Sequence, residues 1–231
     1  MNRPPVPSGR FIDLSRPIEN GIPMTPGLPA PRIEPFLSHA ASRTRYGGLA
    51  EFEISRLFLV GNTGTSIDSP YHRDPGEPDV SDLPLDSLVG LPGLCLDGRV
   101  DRSRGVAVDL TDVDPAERAI LVRTGWDVRF GTEPYWRRGP YLPDGLVDRL
   151  IDGGAALVGV DFANVDDVDD LSRPAHTRLL RAGILVVEHL VGLDRLPRTG
   201  FRFFAPVLAV RGAAALPVRA FAEVEEPAGE I

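Results

Sequence analysis

The apolar residues of this 231-residue chain come in short runs, and that spacing limits the fold more than any other feature. Residues 106–110, 119–122, 156–160 and 184–187 are four or five residues each, mostly Val, Leu, Ile and Ala, which is the length and composition of strands buried largely on both faces. Residues 51–60 alternate polar with apolar and then turn continuously apolar, predicting a further strand that enters the core. Residues 142–152 place Leu146, Leu150 and Ile151 on one helical face and stop at Gly153 and Gly154. Residues 174–183 form a second helical piece, again ended by glycine. Prolines crowd residues 17–35 and exclude a long helix there. Strands alternating with helices, without repeat or long linker, predict one α/β domain over residues 10–224. Residues 1–9 and 225–231 are expected to be a flexible leader and a flexible tail.

The chain is long enough to bury roughly three quarters of the surface that its unfolded form exposes. Its 42% hydrophobic and 25% charged residues are the balance of a soluble globular protein, not of a disordered chain. No apolar run approaches the roughly 20 residues of a membrane span, and no apolar stretch follows the N-terminus as a secretory signal requires. The single cysteine, Cys95, cannot close an internal disulfide. A cytoplasmic location is therefore expected, with Cys95 packed as a small hydrophobe between Leu94 and Leu96. A net charge of −8 argues against nucleic acid as a partner, because phosphate binding needs a basic face. All 25 basic residues are arginine, which excludes a Schiff-base lysine and a lysine-bearing phosphate loop.

Four histidines restrict the places where acid–base or metal chemistry can occur: His39, His72, His176 and His189. Asp68 and His72 are joined through Pro70, a rigid spacing suited to metal binding or proton transfer and equally compatible with an ordinary capped turn. Glu188 ends the apolar run 184–187, and an acid at the end of a buried strand needs a partner. A turn at Gly183 would fold it back toward His176, and with Asp68 the three make a plausible divalent-metal site. His189 is expected to face away from that site, and His39 to be exposed. Asp161 ends another strand, open to a binding, capping or orienting role. Trp126 and the aromatic stretch 134–137 suit a pocket wall or the core. Arg123, Arg129, Arg137 and Arg138 are candidates for a local carboxylate clamp.

Taken in order, several of these segments resemble the cyclase or arylformamidase-like superfamily, which includes kynurenine formamidase and isatin hydrolase. The likeness runs through residues 11–18, Thr63-Gly-Thr65, Asp68, Pro70, His72, residues 121–126, 157–161, His176, Glu188 and 201–206. The family signature is His-x-Gly-Thr-His-x-Asp-x-Pro-x-His, and here Asn62 and Ser66 stand at its first two histidines while Asp68 and His72 match.

The resemblance implies a swivelling β/β/α fold with a mixed, largely buried sheet and flanking helices. It implies a divalent metal held by Asp68, His176 and Glu188, with His72 as proton carrier and with Asn62, Ser66 and Trp126 as altered or substrate-binding positions. An oxygen-rich shell of this kind moves the preference from zinc toward manganese or magnesium. The expected activity is hydrolysis of a C–N or C–O bond in a small amide, formamide, lactone or ester. Two alternatives stay open: a metal-free cyclase or dehydratase using Asp68 and His72, and a pseudoenzyme that only binds a small molecule. Relatives of this type imply a homodimer or homotetramer.

Overall fold

Three of the four parallel strands at the centre of the molecule follow the apolar runs closely. A computed structural model describes residues 11–224, and the leader and tail expected at 1–9 and 225–231 lie outside the described residues. In chain order the strands are β1 (Phe11–Asp13), β2 (Arg32–Leu37), β3 (Ile54–Phe58), β4 (Ser66–Asp68), β5 (Leu91–Val100), β6 (Val106–Val108), β7 (Ala119–Arg123), β8 (Leu157–Val160), β9 (Leu185–Glu188), β10 (Phe201–Phe204), β11 (Ala215–Pro217) and β12 (Phe221–Val224). The α-helices are α1 (His39–Arg45), α2 (Glu133–Arg137), α3 (Asp144–Asp152) and α4 (Pro174–Arg181).

One mixed sheet of ten strands runs β1-β12-β10-β5-β7-β8-β9-β4-β11, with β6 added to β5. Its centre, β5-β7-β8-β9, is parallel, and the strands outside it pair antiparallel. Both faces of the centre are covered. Ile120, Val122, Val158, Val160 and Val186 meet Leu146, Val147, Leu150, Leu179 and Leu180 from α3 and α4. The alternate residues Leu121, Leu157, Leu185 and Val187 meet Leu14, Ile67, Phe201 and Phe203 on the other side. The period-two alternation of a strand thus feeds two hydrophobic layers, each fully buried large side chain contributing about 1.5–3 kcal/mol. This is the single-domain α/β architecture expected from the sequence.

The strand in 51–60 does not enter the core. Its regular part, β3, pairs only with β2, in a separate two-stranded ladder, and every residue of β3 is exposed. Aromatic side chains there stay exposed with arginine stacked on one face: the Arg32 guanidinium lies 4.4 Å from the Phe58 ring centre and that of Arg56 4.8 Å from Phe36. The strand in 106–110 is also less buried than expected, since β6 buries Val106 and Val108 and exposes Ala107. In α3 the buried face is Leu146, Val147 and Leu150, with Ile151 only partly buried beside it. Among the described residues no helix is long and apolar enough to cross a membrane.

Candidate active site

Three neighbouring elements bring the acids and imidazoles together. β4 and β9 pair antiparallel with Ser66 opposite Glu188 and Asp68 opposite Val186. The chain leaves β4 through Ser69 into a short 3-10 turn, Pro70–His72, that begins with proline and closes with the His72 N–H on the Ser69 carbonyl at 2.9 Å. The loop ahead of β4 is equally constrained. Gly64 takes φ +65, a conformation that favours glycine, and a side chain at Gly61 would collide with the Ala215 carbonyl oxygen.

His176 lies in the first turn of α4, just before β9. This helix starts at Arg173, which has φ 52 and offers no side-chain cap. Asp166 caps it from outside. Its Oδ1 accepts the Ala175 N–H at 2.6 Å, and its Oδ2 lies 2.6 Å from His176 Nδ1. The other ring nitrogen, Nε2, stands 3.3 Å from Asp68 Oδ2 and 3.3 Å from Glu188 Oε1. Glu188 Oε1 also accepts the Val165 N–H at 2.8 Å, and Asn62 Nδ2 donates to Asp68 Oδ1 at 3.3 Å. The His72 ring centre is 5.7 Å from that of His176. Asp68, His72 and His176 each present a ligand atom within 4.8 Å of the others.

Asp68, Asp166, His176 and Glu188 are all buried, while His72 is half-buried. Burial opposes a charged His176, yet the carboxylates of Glu188, Asp166 and Asp68 outweigh it and hold the imidazole well above its ordinary pKa. Burial raises the Glu188 carboxyl, and His176 only partly offsets that. Burial pushes Asp68 the same way, but hydrogen bonding and charge from His176 prevail and leave it lowered. Three buried carboxylates thus face one imidazole, an excess of negative charge that calls for a proton or a cation.

The remaining candidates lie elsewhere. Asp161 accepts the N–H groups of Thr124 and Gly125 and the Thr124 hydroxyl at 2.6–2.8 Å, so it holds a turn. Trp126 packs against the core with Arg129 4.5 Å above its ring, and is not part of the acid–imidazole cluster. Ser66 is buried opposite Glu188. His189 stays outside the cluster, at φ 60, with Nδ1 2.8 Å from the Tyr135 hydroxyl. Burial, with Arg16 adding to it, lowers its pKa to about 4. His39 is exposed at the start of α1. Cys95 is buried, which pushes its thiol up to about 12. Asp166 was not singled out by sequence, because it sits in the acid-rich stretch 161–170. The available signal was the Arg-Pro start of α4, a helix with no cap of its own.

A family model described as "Putative cyclase" matches residues 12–167, more than half of the chain. Kynurenine formamidase of Paracidovorax citrulli is 31% identical over 220 residues, covering 90% of this chain and 94% of that protein. Kynurenine formamidase of Salinibacter ruber is 32% identical over 212 residues, covering 91% and 95%. Among solved structures, isatin hydrolase A from Ralstonia solanacearum superposes with a TM-score of 0.76 at 24% identity, covering 94% of this chain and 92% of that one, a likeness of fold. The chain belongs to the cyclase family, within the arylformamidase-like superfamily.

Proposed function

We propose that this chain is a metal-dependent hydrolase that cleaves an acyl C–N or C–O bond of a small molecule, in an amide, formamide, lactone or ester. The observation that carries the reading is the setting of His176, with Nδ1 anchored by Asp166 and Nε2 within 3.3 Å of both Asp68 and Glu188. The relatives named kynurenine formamidase, at or above 30% identity along nearly the whole chain, support it.

The donor set fits a divalent ion. If Nδ1 carries the proton toward Asp166, Nε2 keeps a lone pair for the ion, the usual arrangement of a carboxylate-supported histidine ligand. Two positive charges would also offset the surplus of buried carboxylates. Asp68, His176 and Glu188 would hold the ion, with His72 within reach. Asn62 and Ser66 stand where the family signature has histidines, so the set is rich in oxygen and favours manganese or magnesium over zinc. A divalent ion bound there supplies Lewis-acid polarisation of a carbonyl and makes water more acidic.

The protein's own groups do the rest. His72, half-buried on its proline-started turn, takes a proton from the attacking water and returns it to the leaving nitrogen or oxygen. Asp166 fixes the His176 tautomer, and Asn62 steadies Asp68. Because Asp68 is engaged by His176 and Asn62, a metal-free acid–base pair of Asp68 with His72 is the weaker reading.

Metal analysis of protein purified without added metal, then calorimetric titration with manganese and zinc, tests the proposal. Binding of a divalent ion is expected, along with hydrolysis of formanilide or a simple lactone that a chelator abolishes. The His72→Asn variant should lose about 10²–10⁴ in kcat. If no divalent ion binds at neutral pH, and added metal shifts the melting of parent and His176→Ala protein equally, the reading fails. Association into a dimer or tetramer is part of the same proposal. It would cover Phe36, Leu57 and Phe58, exposed on β2 and β3, and a monomer at every concentration in sedimentation would refute it.

A further inference from the structure

A cavity of about 910 Å³ lies beside the cluster without being lined by Asp68, His72 or His176. Its wall holds five arginines, Arg102, Arg104, Arg137, Arg138 and Arg173, together with Trp136. Only two acids, Glu133 and Asp169, share that wall. Arg104 is committed to Asp167 at 2.6 Å and Asp169 at 3.1 Å, and Arg137 stands 3.9 Å from Glu133. Arg173 reaches only the Asp167 carbonyl, at 3.2 Å. Among the described residues, Arg102, Arg138 and Arg173 have no carboxylate within ion-pair distance. In a chain of net charge −8, five arginines against two acids line one concavity. Arg173 feels the nearby Asp170 carboxylate without pairing with it, and the surplus of positive charge in the wall favours an anion.

The cavity shares its structural elements with the acid–imidazole cluster. Asn164, in its wall, precedes Val165, whose N–H binds Glu188. Arg173 is the residue from which α4 and its His176 begin. The Trp136 ring centre is 5.7 Å from that of His189, which directly follows Glu188. Of the four arginines that the sequence offers as a clamp, only Arg137 and Arg138 are in this wall. Arg123 pairs with Asp97, and Arg129 covers Trp126.

We infer that this cavity is an anion-recognition site that grips a carboxylate of the substrate through Arg102, Arg138 and Arg173, with Trp136 against the apolar body that bears it. Guanidinium groups match the flat, two-oxygen shape of a carboxylate, and a tryptophan face suits an aromatic acid. That the bound acid is the substrate rests on the hydrolase reading above, whereas the binding itself does not.

Benzoate and its neutral isostere benzamide are the probes, titrated calorimetrically into the full-length protein. Benzoate is expected to bind at least about tenfold more tightly, and more weakly as ionic strength rises from about 0.01 to about 0.15 M. The double variant Arg102→Gln with Arg138→Gln replaces two exposed side chains, so folding should be retained, as a melting curve checks. It should lose at least about tenfold in benzoate affinity, while Arg123→Gln, outside the cavity, should keep it. Equal binding of the two probes, or benzoate binding that the double variant leaves unchanged, overturns the site. Hydrolysis of formanilide and of 2-formamidobenzoate separates the two readings. If neither is cleaved while benzoate binding stays arginine-dependent, the anion site stands and the hydrolase reading falls. If both are cleaved alike and benzoate does not bind, the hydrolase reading stands and the anion site falls.

Discussion

Asp166 and His176 are joined at 2.6 Å through Oδ2 and Nδ1, and the other oxygen of the same carboxylate caps the helix that carries the histidine. Position and tautomer of the imidazole therefore depend on one acid. In Asp166→Asn the amide can keep an oxygen for the cap but turns an N–H toward Nδ1, which moves the ring proton to Nε2. Divalent-ion affinity should fall about 10–100-fold, while unfolding free energy changes by less than about 1 kcal/mol. Competition with a chelating dye and urea unfolding read the two quantities, and unchanged affinity would remove Asp166 from its supporting role.

Asp161 gives a pH signature away from the cluster. Burial raises its carboxyl from the ordinary 3.8 to about 6 despite its hydrogen bonds to Thr124 and Gly125. The folded state then holds more protons than the unfolded state between those values, so this group's contribution to stability falls as pH rises from about 4 to about 6 and is level above. Asp161→Asn keeps an oxygen for the two backbone N–H groups and can donate to the Thr124 hydroxyl. Relative to the parent, it should gain on the order of 3 kcal/mol across that window. Parallel pH dependences of the two proteins in urea unfolding would falsify the assignment.

Gly61 allows the loop ahead of β4 to lie against the backbone of β11. The Ala215 carbonyl oxygen occupies the place of any added Cβ, and backbone cannot yield as a side-chain tip can. Gly61→Ala is expected to cost about 1–3 kcal/mol and to lower the melting temperature by about 2–12 °C. Because Asn62 follows directly, ion affinity should drop as well. Calorimetric melting within a degree of the parent would contradict this packing.

Replacing Asn62 with histidine restores an imidazole at a position where the family signature has one. Asn62 is half-buried and donates to Asp68, so the exchange trades an amide for a nitrogen ligand. Zinc affinity should rise about tenfold relative to manganese, following the preference of imidazole donors. Paired titrations of Asn62→His and the parent decide it, an unchanged zinc-to-manganese ratio being the adverse result.

Much of this was legible in the residues, for identifiable reasons. The runs at 119–122, 156–160 and 184–187 announce β7, β8 and β9 because strands covered on both faces tolerate little but aliphatic side chains. Glu188 stood out as an acid ending such a strand. The placement of β3 was not legible, since an apolar run predicts burial without naming its cover, and here the run begins in an exposed two-stranded ladder whose rings carry arginine guanidinium groups. β5 was hidden by Pro92, Gly93 and Gly98, which read as breaks although they lie within one strand. Asp166 was hidden among equivalent-looking acids, because only the three-dimensional path sets it beneath α4. The same limit applies to the clamp arginines, whose side chains part company in space.

Asp68 and Glu188 sit on neighbouring strands yet are more than a hundred residues apart in the chain, with His176 and Asp166 arriving from the intervening helix and loop. No short stretch of the polypeptide carries the full set of donors. A nascent or clipped chain would have no high-affinity place for an ion until α4 and β9 had docked, and such long-range pairings are slow to form. Ion uptake would then report on completed folding, and the loaded protein would outlast the empty one under protease challenge, since an ion held only by the native state lowers the share of opened molecules.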